Sequence, residues 1–329
     1  MSDGPASRPE SRWTAGPLRS AAVVGLLLVA VVLVVGGLRA RDDDDGGPRP
    51  GSRAGSGQTL QLVALGDSLS RGVQPGERGQ RITGEGYPRQ LATLLRRRGV
   101  PVELVEAGCG GATAASALVG GRCAPAGPVP YANDAPATSQ VAWAVRHVRS
   151  RDAAPTLVTL DLGSNDVLRC VSPDAARVRA CLRATGPGLR RRLREIAQRI
   201  AAAAGPDTVL VAATVYDPFV ALLRGGALDT AGLRAAVATV DRFVMRELNP
   251  AIRRTFTAQG WLVAEVGPAM GTDGTRGPAD VDRVDAICDL TWMCARADVH
   301  LNREGYLRAA RVFERTARRS VEALRLTTR

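Results

Sequence analysis

Short apolar runs alternate with stretches of helical periodicity from Leu60 onward, and this alternation constrains the fold more than any other feature. The predicted strands are Leu60–Leu65, Val102–Glu106, Leu157–Leu162, Thr208–Val215 and Trp261–Val266. The predicted helices are Tyr87–Arg98, Ser139–Val148, Pro173–Ala184, Gly188–Ala204, Thr230–Thr257 and Asn302–Leu326. Such alternation predicts βαβ units, a central parallel sheet and an α/β fold with its ligand at the carboxyl ends of the strands.

Two long connections, Gln74–Gly86 and Gly267–Ala297, follow neither the strand nor the helix pattern. Connections of this length are uncommon in domains unless they carry function. We therefore expect both to be irregular and to form the rim of the ligand pocket.

An uncharged apolar stretch, Ala21–Leu38, lies close to the N-terminus. As a helix its 18 residues would span about 27 Å, close to the thickness of a bilayer core. A signal peptide has a shorter apolar core of about 7–15 residues, and Val35-Gly36-Gly37 is a weak cleavage site. The sequence thus predicts an uncleaved membrane anchor over residues 20–38, with a cleaved signal peptide as the alternative.

The anchor divides the chain into four predicted parts. Residues 1–19 form a short cytoplasmic tail, residues 20–38 the anchor, residues 39–59 a flexible polar linker, and residues 60–329 the folded domain. The predicted location is the cell membrane, with a single span and the domain outside the cytoplasm. Cleavage of the anchor would instead make the protein secreted.

Six cysteines agree with export from the cytoplasm. Their spacing lacks the Cys-x-x-Cys pattern of zinc sites, so no metal is expected. Pairing in order along the chain is the simplest of the 15 possible arrangements, because each pair brackets a short, loop-like stretch. The cysteines are Cys109, Cys123, Cys170, Cys181, Cys288 and Cys294.

The formal net charge is +12, and all 44 basic residues are arginines. They are scattered, with few aromatic residues between them, unlike a nucleic-acid-binding surface. The runs Arg96–Arg98 and Arg190–Arg192 are typical of solvated helix faces. We therefore expect no nucleic-acid partner.

Three glycine-containing turns follow the first three predicted strands. Gly66-Asp67-Ser68-Leu69 places a serine hydroxyl at a strand exit, where it can act as a nucleophile if a base lies nearby. The stretch Glu106–Thr113 can present backbone N–H groups, but Thr113 breaks the dinucleotide-binding glycine pattern. In Gly163-Ser164-Asn165-Asp166, Asn165 can donate to an oxyanion or simply form an Asx turn or helix cap.

Only two histidines are available as a base. His147 lies inside a predicted helix, whereas His300 lies at the junction of a loop and the last helix. Asp298 is two residues before His300 and is a candidate to hold the second ring nitrogen. The sequence therefore favours His300 as the base for Ser68.

These blocks, in this order from Leu60 to about Arg325, resemble the SGNH hydrolases, the GDSL family of esterases and lipases. The resemblance implies a three-layer α/β/α flavodoxin-like fold. It also implies that Ser68 is the nucleophile and His300 the base. The oxyanion hole would then consist of the backbone N–H groups of Ser68 and Gly111 and the side chain of Asn165.

The last block departs from the usual Asp-x-x-His pattern of the family. Ala297 occupies the expected aspartate position, and Asp298 is offset by one residue. Either Asp298 or a backbone carbonyl would then support His300. The resemblance also favours secreted, actinobacterial-type members with three local disulfides, which suits the cysteine spacing.

The expected function is a carboxylic ester hydrolase outside the cytoplasm that acts on ester or lipid-like substrates through an acyl-enzyme. It would require no metal or organic cofactor. A cell-envelope acyltransferase or a glycan or lipid deacetylase is the alternative on the same site, and a non-catalytic envelope-binding domain is a third interpretation. Acyl chain length and oligomeric state do not follow from the sequence.

Overall fold

Seven strands are present in the computed structural model, which describes residues 58–77, 79–120, 139–150, 155–224, 230–272 and 280–326. They are β1 (Leu60–Gly66), β2 (Val73–Gly76), β3 (Gly79–Ile82), β4 (Val102–Glu106), β5 (Thr156–Asp161), β6 (Thr208–Ala213) and β7 (Leu262–Ala264). Five of them form a parallel sheet in the order β4-β1-β5-β6-β7. The α/β fold with a central parallel sheet is therefore confirmed.

Eleven α-helices connect or flank the strands within the described ranges. They are α1 (Tyr87–Arg97), α2 (Ala114–Val119), α3 (Gln140–Arg149), α4 (Ser164–Leu168), α5 (Ala175–Ala201), α6 (Ala231–Phe243), α7 (Asn249–Thr257), α8 (Val266–Ala269), α9 (Val281–Leu290), α10 (Met293–Arg296) and α11 (Arg303–Leu326). A 3₁₀ helix covers Pro218–Leu223, and a π-helical turn, Val244–Leu248, joins α6 to α7.

The strand order places the helices in two layers. The chain moves from β1 outward to β4 through α1, then returns past β1 to β5, β6 and β7. Because crossovers between parallel strands are right-handed, α1 lies on one face of the sheet and α3, α5 and α7 on the other. Helix α11 packs against α1 and completes the first layer. This order is the flavodoxin-like one, whose ligand site lies where the direction of winding reverses, between β1 and β5.

The central strands are buried along their whole length because helices cover both faces of the sheet. All seven residues of β1 and all six of β5 are buried. This explains why the sequence alone locates these strands to within one or two residues. Strands β6 and β7 are shorter than predicted, since β6 ends at Ala213 and β7 comprises only three residues.

The prediction of two separate helices around Pro187 is wrong. Helix α5 is continuous for 27 residues and contains Pro187. A continuous stripe of buried residues, which includes Leu182, Leu189 and Leu193, packs this helix into the core. The stability gained from this burial offsets the loss of the one backbone hydrogen bond that proline cannot make. Gly186 allows α5 to pack closely against Phe243, because a Cβ at this position would lie only 3.1 Å from the ring of Phe243.

The two long connections are more ordered than predicted. Gln74–Gly86 contains the antiparallel hairpin of β2 and β3, in which Val73 pairs with Ile82. Gly267–Ala297 contains most of α8 together with α9 and α10. The signal for α9 was available, since Val284, Ile287 and Leu290 repeat at helical spacing and are buried.

Two disulfides join neighbouring cysteines, as the in-order pairing predicts. Cys170 is bonded to Cys181 and Cys288 to Cys294, with Cα–Cα distances of 5.4 and 5.1 Å. Cys109 is also disulfide-bonded, and its predicted partner, Cys123, lies outside the described residues. The first bond ties the segment after α4 to α5, and the second ties α9 to α10.

The predicted tail and anchor, residues 1–38, lie outside the described residues, as does the linker up to residue 57. No helix within the described ranges has the length and apolar character needed to cross a membrane.

Candidate active site

The turn that follows β1 presents Ser68 at the carboxyl end of the sheet. Gly66 has a φ of 137°, and a Cβ there would lie 2.2 Å from the Asp161 carboxyl group, so only glycine fits. Gln140, at the start of α3, accepts a hydrogen bond from the Gly66 N–H at 2.9 Å and donates one to the Gly66 carbonyl at 2.8 Å. The backbone just before the serine is therefore held by a buried amide on both of its polar groups.

Ser68, His300 and Asp298 lie in line. The Ser68 Oγ is 2.8 Å from His300 Nε2, and His300 Nδ1 is 2.7 Å from Asp298 Oδ1. The same carboxylate oxygen accepts the His300 backbone N–H at 2.9 Å. With the Nδ1 proton directed at the carboxylate, Nε2 is free to accept the serine proton. His147, in contrast, bonds Gln61 and stacks on Trp143, away from this line.

The offset aspartate reaches the histidine because of the turn at Ala297. This residue has a φ of 51°, which is the left-handed region, and no other non-glycine residue of the described ranges has a positive φ. The turn ends α10 and directs Asp298 back toward the ring two residues later. The spacing that departs from the family pattern is thus accommodated by one unusual backbone conformation.

The electrostatics favour a charged Asp298. Burial alone would raise its pKa. Its hydrogen bonds with His300, the electrostatic attraction of the His300 ring and a further hydrogen bond from Gln80 hold that pKa below its usual range. Asp298 therefore remains a carboxylate well into the acidic range.

Gln80 is a site residue that the sequence analysis missed. Its Nε2 donates to Asp298 Oδ2 at 3.0 Å from the exposed strand β3. The hairpin of β2 and β3 is fixed at its base, where Tyr306 donates to the Val73 carbonyl at 2.7 Å and Trp292 to Gln74 at 2.9 Å. No local signal marks Gln80, because its contact lies 218 residues along the chain.

The two backbone N–H groups predicted for the oxyanion hole make no hydrogen bond of their own within the described residues. Among the described residues, neither the Ser68 N–H nor the Gly111 N–H donates a hydrogen bond. Gly111 lies in the loop after β4 with a φ of 73°, which suits glycine. These are the two backbone donors that the sequence predicts for an oxyanion hole.

Asn165 lies at the exit of β5, in the first turn of α4, and lines the same cavity as Ser68 and His300. Its Nδ2 donates to Asp67 Oδ2 at 3.0 Å and to the Ala112 carbonyl at 3.1 Å. Both amide hydrogens are thus in use. Donation to an oxyanion requires the amide to exchange the Ala112 bond for the new acceptor, while Asp67 keeps it oriented.

A pair of buried carboxyl groups lies beneath the nucleophile. Asp161 Oδ2 accepts the Asp67 N–H at 3.3 Å, and Asp161 Oδ1 accepts the Tyr87 hydroxyl at 2.9 Å. Burial, and then the negative charge of Asp67, raise the pKa of Asp161 well above its usual range. Burial also raises the pKa of Asp67, but the hydrogen bonds that Asp67 accepts from Leu69 and Asn165 oppose that rise.

A match between the sequence and a family profile identifies the protein family that has this site. The profile of the GDSL-like lipase/acylhydrolase family matches residues 64–308. That range covers most of the chain and includes every residue of the line from Ser68 to His300. The chain belongs to the GDSL-like lipase/acylhydrolase family. It is therefore a carboxylic ester hydrolase of the SGNH type.

Solved structures of esterases and lipases are also similar. An extracellular lipase from Streptomyces rimosus is 17% identical over 78% of this chain and 100% of its own, with a TM-score of 0.48. The carbohydrate acetylesterase Est24 from Sinorhizobium meliloti is 14% identical over 79% of this chain and 99% of its own, with a TM-score of 0.41. No curated protein sequence matches the chain.

The cavity lined by Ser68, Asn165 and His300 is otherwise mostly apolar. Val215 and Phe219 come from the exit of β6 and the 3₁₀ helix, and Val240 and Val244 from α6 and the π-helical turn. The side-chain amide of Asn249, at the start of α7, holds the backbone of Val215. It accepts the Val215 N–H and donates to the Val215 carbonyl, each at 2.8 Å. These residues form a short apolar slot beside Ser68, which we call the valine slot.

No cluster of acidic, histidine and cysteine side chains suited to a metal ion occurs in the described part of the chain.

Proposed function

We propose that this family member hydrolyses carboxylic esters by a serine acyl-enzyme mechanism. The observation that carries the proposal is the unbroken line from Ser68 Oγ through His300 to Asp298, at 2.8 and 2.7 Å. His300 takes the serine proton as Oγ attacks the ester carbonyl, and then protonates the leaving alcohol. Water, deprotonated by the same ring, releases the acid and restores Ser68.

The charge that develops on the carbonyl oxygen is stabilised by three donors in this proposal. They are the N–H groups of Ser68 and Gly111 and the amide of Asn165. One such donor is typically worth about 3–4 kcal/mol of barrier. Asp298 keeps the Nδ1 proton of His300 in place and stabilises the imidazolium that forms.

The test uses p-nitrophenyl esters from acetyl to palmitoyl with the purified, oxidised full chain. Ser68→Ala and His300→Ala should each lose turnover by at least about 10³-fold, because the nucleophile or its base is missing. His147→Ala is the matched control, since it removes the other histidine. Full turnover in Ser68→Ala would overturn the mechanism.

A second measurement identifies the acceptor of the acyl group. Free carboxylic acid should accumulate in proportion to p-nitrophenol. Release of p-nitrophenol only when an alcohol or sugar is added would instead indicate an acyltransferase, which the same residues can serve.

We also propose that the domain acts outside the cytoplasm, tethered to the membrane by residues 20–38. The disulfides support an oxidising compartment, because such bonds rarely persist in the cytosol. Protease should digest the domain in intact spheroplasts, while carbonate washing leaves it in the membrane fraction. Recovery in the soluble cytosolic fraction would contradict the proposal.

A further inference from the structure

Gln140 is a buried polar residue to which the ester chemistry gives no role. It is the first residue of α3 and is 2% exposed. The helix start is fixed by Ser139, whose Oγ accepts the Ala142 N–H at 2.9 Å. From there, Gln140 Oε1 accepts the Gly66 N–H at 2.9 Å and Nε2 donates to the Gly66 carbonyl at 2.8 Å. A carboxamide suits this task because it places one acceptor and one donor side by side.

Gly66 is the point at which β1 passes into the turn of the nucleophile. It ends β1 two residues before Ser68, with a φ of 137°. The N–H of the next residue, Asp67, is held by Asp161 Oδ2 at 3.3 Å. The path of the chain from the strand into the serine turn is therefore fixed by two side chains from other elements, Gln140 of α3 and Asp161 of β5.

Gly66 also holds the loop that carries the second backbone donor of the proposed oxyanion hole. Its carbonyl, to which Gln140 donates, accepts the Cys109 N–H at 3.0 Å as well. The Cys109 carbonyl then accepts the Ala112 N–H at 3.0 Å, which closes a turn that contains Gly111. One carbonyl group thus joins the backbone that presents the serine to the backbone that presents the Gly111 N–H.

We propose that Gln140 is a positioning residue that holds the Ser68 turn and the Gly111 loop in one geometry. It lies outside the lining of the cavity that contains Ser68, and it acts through Gly66. Attack by Oγ and stabilisation of the oxyanion require the serine and the N–H donors at fixed separations, and a displacement of about 1 Å can cost about 10²-fold in rate. The inference rests on the proposed function, since it names a further residue for that reaction.

The first test is the steady-state kinetics of Gln140→Ala, as the full chain, on p-nitrophenyl butyrate. Loss of both bonds to Gly66 should lower kcat at least about 10-fold and change KM less than about twofold, because the displaced groups act on the transition state. Rates are expressed per folded protein, from circular dichroism at the assay pH. A wild-type kcat, or an increase in KM at constant kcat, would overturn the inference.

Gln140→Glu separates positioning from a general loss of stability. The ionised carboxylate accepts the Gly66 N–H but has no proton for the Gly66 carbonyl, whereas the protonated acid can make both bonds. Burial raises the pKa of a carboxyl group, so protonation restores the second bond as pH falls. The kcat of the variant relative to the wild type, per folded protein, should rise at least about fivefold from about pH 9 to about pH 6. A ratio that stays constant would overturn the inference.

Gln198→Glu is the matched control, because it introduces the same charge at an exposed position of α5. Its kcat relative to the wild type should stay constant over the same pH range. The ratio to the wild type also cancels the titration of His300, which both proteins share. An equal rise in Gln198→Glu would reflect added charge alone and would overturn the inference.

The reaction with paraoxon distinguishes a failure of this inference from a failure of the proposed function. Ser68 Oγ displaces p-nitrophenolate from phosphorus, so the wild type should release a stoichiometric burst of p-nitrophenol and Ser68→Ala none. Absence of the burst in the wild type would overturn the proposed function and the inference with it. Where the burst occurs, a rate at least about 10-fold lower in Gln140→Ala supports positioning. An equal rate would overturn the inference alone.

Discussion

At the scale of single residues, the site depends on hydrogen bonds to charged or charge-developing atoms. In the proposed mechanism Asn165 has to change one of its resting contacts, because its amide already donates to Asp67 and Ala112. Only the bond to Ala112 has to be exchanged, so the cost of recruiting the amide is one neutral hydrogen bond.

Asn165→Ala should therefore lower kcat by about 10²–10³-fold and change KM little, because the lost donor acts on the transition state. Steady-state kinetics on p-nitrophenyl butyrate would measure both constants. An increase in KM at constant kcat would mean that Asn165 binds the ground state instead.

Gln80 donates to Asp298, so we expect it to act as a positioning residue. Gln80→Ala should lower kcat/KM about fivefold, since a partly exposed hydrogen bond to a charged group is worth about 1 kcal/mol. Without this donor the pKa of Asp298 rises toward its usual value, and the carboxylate loses one of the bonds that orient it toward His300.

The kcat/KM of Gln80→Ala on p-nitrophenyl butyrate is the deciding measurement. Arg81→Ala, its neighbour on β3, is the control and should keep the wild-type value. An unchanged kcat/KM in Gln80→Ala would show that Gln80 does not position Asp298.

At the scale of elements, irregular helices shape the substrate pocket. The π-helical turn between α6 and α7 brings Val244 to the valine slot, and the 3₁₀ helix brings Phe219. π-Helical turns are rare in proteins, and those that occur are often found at functional sites. Substitutions in this turn should therefore change the acyl chain length that the enzyme prefers.

Val244→Phe should shift the preference of the enzyme toward acetyl esters, and Val244→Ala toward longer acyl chains. The ratio of kcat/KM for hexanoate to that for acetate is the measurement, because it cancels any loss of folded protein. Overpacking can itself cost about 1–3 kcal/mol of stability. Identical ratios in the three proteins would show that the acyl chain lies elsewhere.

The turn at Ala297 is a second element with a measurable cost. A non-glycine residue in the left-handed region loses about 1–2 kcal/mol relative to the right-handed one, and glycine loses almost nothing there. Ala297→Gly should therefore raise the free energy of unfolding by about 0.5–1 kcal/mol, measured by urea denaturation.

Ala258→Gly is the matched control, because Ala258 ends α7 with a right-handed φ of −63°. There glycine should destabilise the protein by up to about 1 kcal/mol. Destabilisation by Ala297→Gly as well would show that the turn is held by contacts of the Ala297 methyl group.

At the scale of the whole molecule, a buried charge cluster links the pocket to the outer helices. Arg283 of α9 is 2% exposed and binds Asp241 of α6 at 2.5 Å. Asp217, next to the valine slot, accepts the Phe219 N–H with one oxygen, while its other oxygen has no hydrogen-bond partner. Burial raises the pKa of Asp217 to about 7.

This pKa predicts how stability changes with pH. Between about pH 4 and pH 7 the folded state keeps the Asp217 proton and the unfolded state releases it, so stability falls as pH rises through this window. Asp217→Asn cannot ionise, and its stability relative to the wild type should increase by up to about 4 kcal/mol from pH 4 to pH 8.

Urea denaturation at pH 4, 6 and 8 would measure the difference. Asp241→Asn is the contrasting variant, because it leaves Arg283 without its carboxylate and should destabilise the protein at every pH. A constant difference between Asp217→Asn and the wild type would mean that Asp217 is ionised throughout.

Local pattern was sufficient for much of the fold. The hydrophobic runs at β1 and β5 and the periodicity of α1, α3 and α11 are strong because the sheet is covered on both faces. Pattern failed where tertiary packing overrode local preference, as at Pro187, where the buried stripe of α5 continues through a residue that normally breaks helices. It also failed for the hairpin of β2 and β3, whose strands are only four residues long.

The sequence by itself predicted the candidate residues of the site, because Ser68, Gly111 and Asn165 follow strands whose carboxyl ends a parallel sheet brings to one edge, and His300 lies at the junction of a loop and the last helix. Only the tertiary structure decided which residues hold these side chains and their backbone in place. Asp298 reaches His300 only through the backbone turn at Ala297, and Gln80 and Gln140 bond residues 218 and 74 positions away. Contacts of this kind leave no local trace, since only the folded chain brings the two partners together.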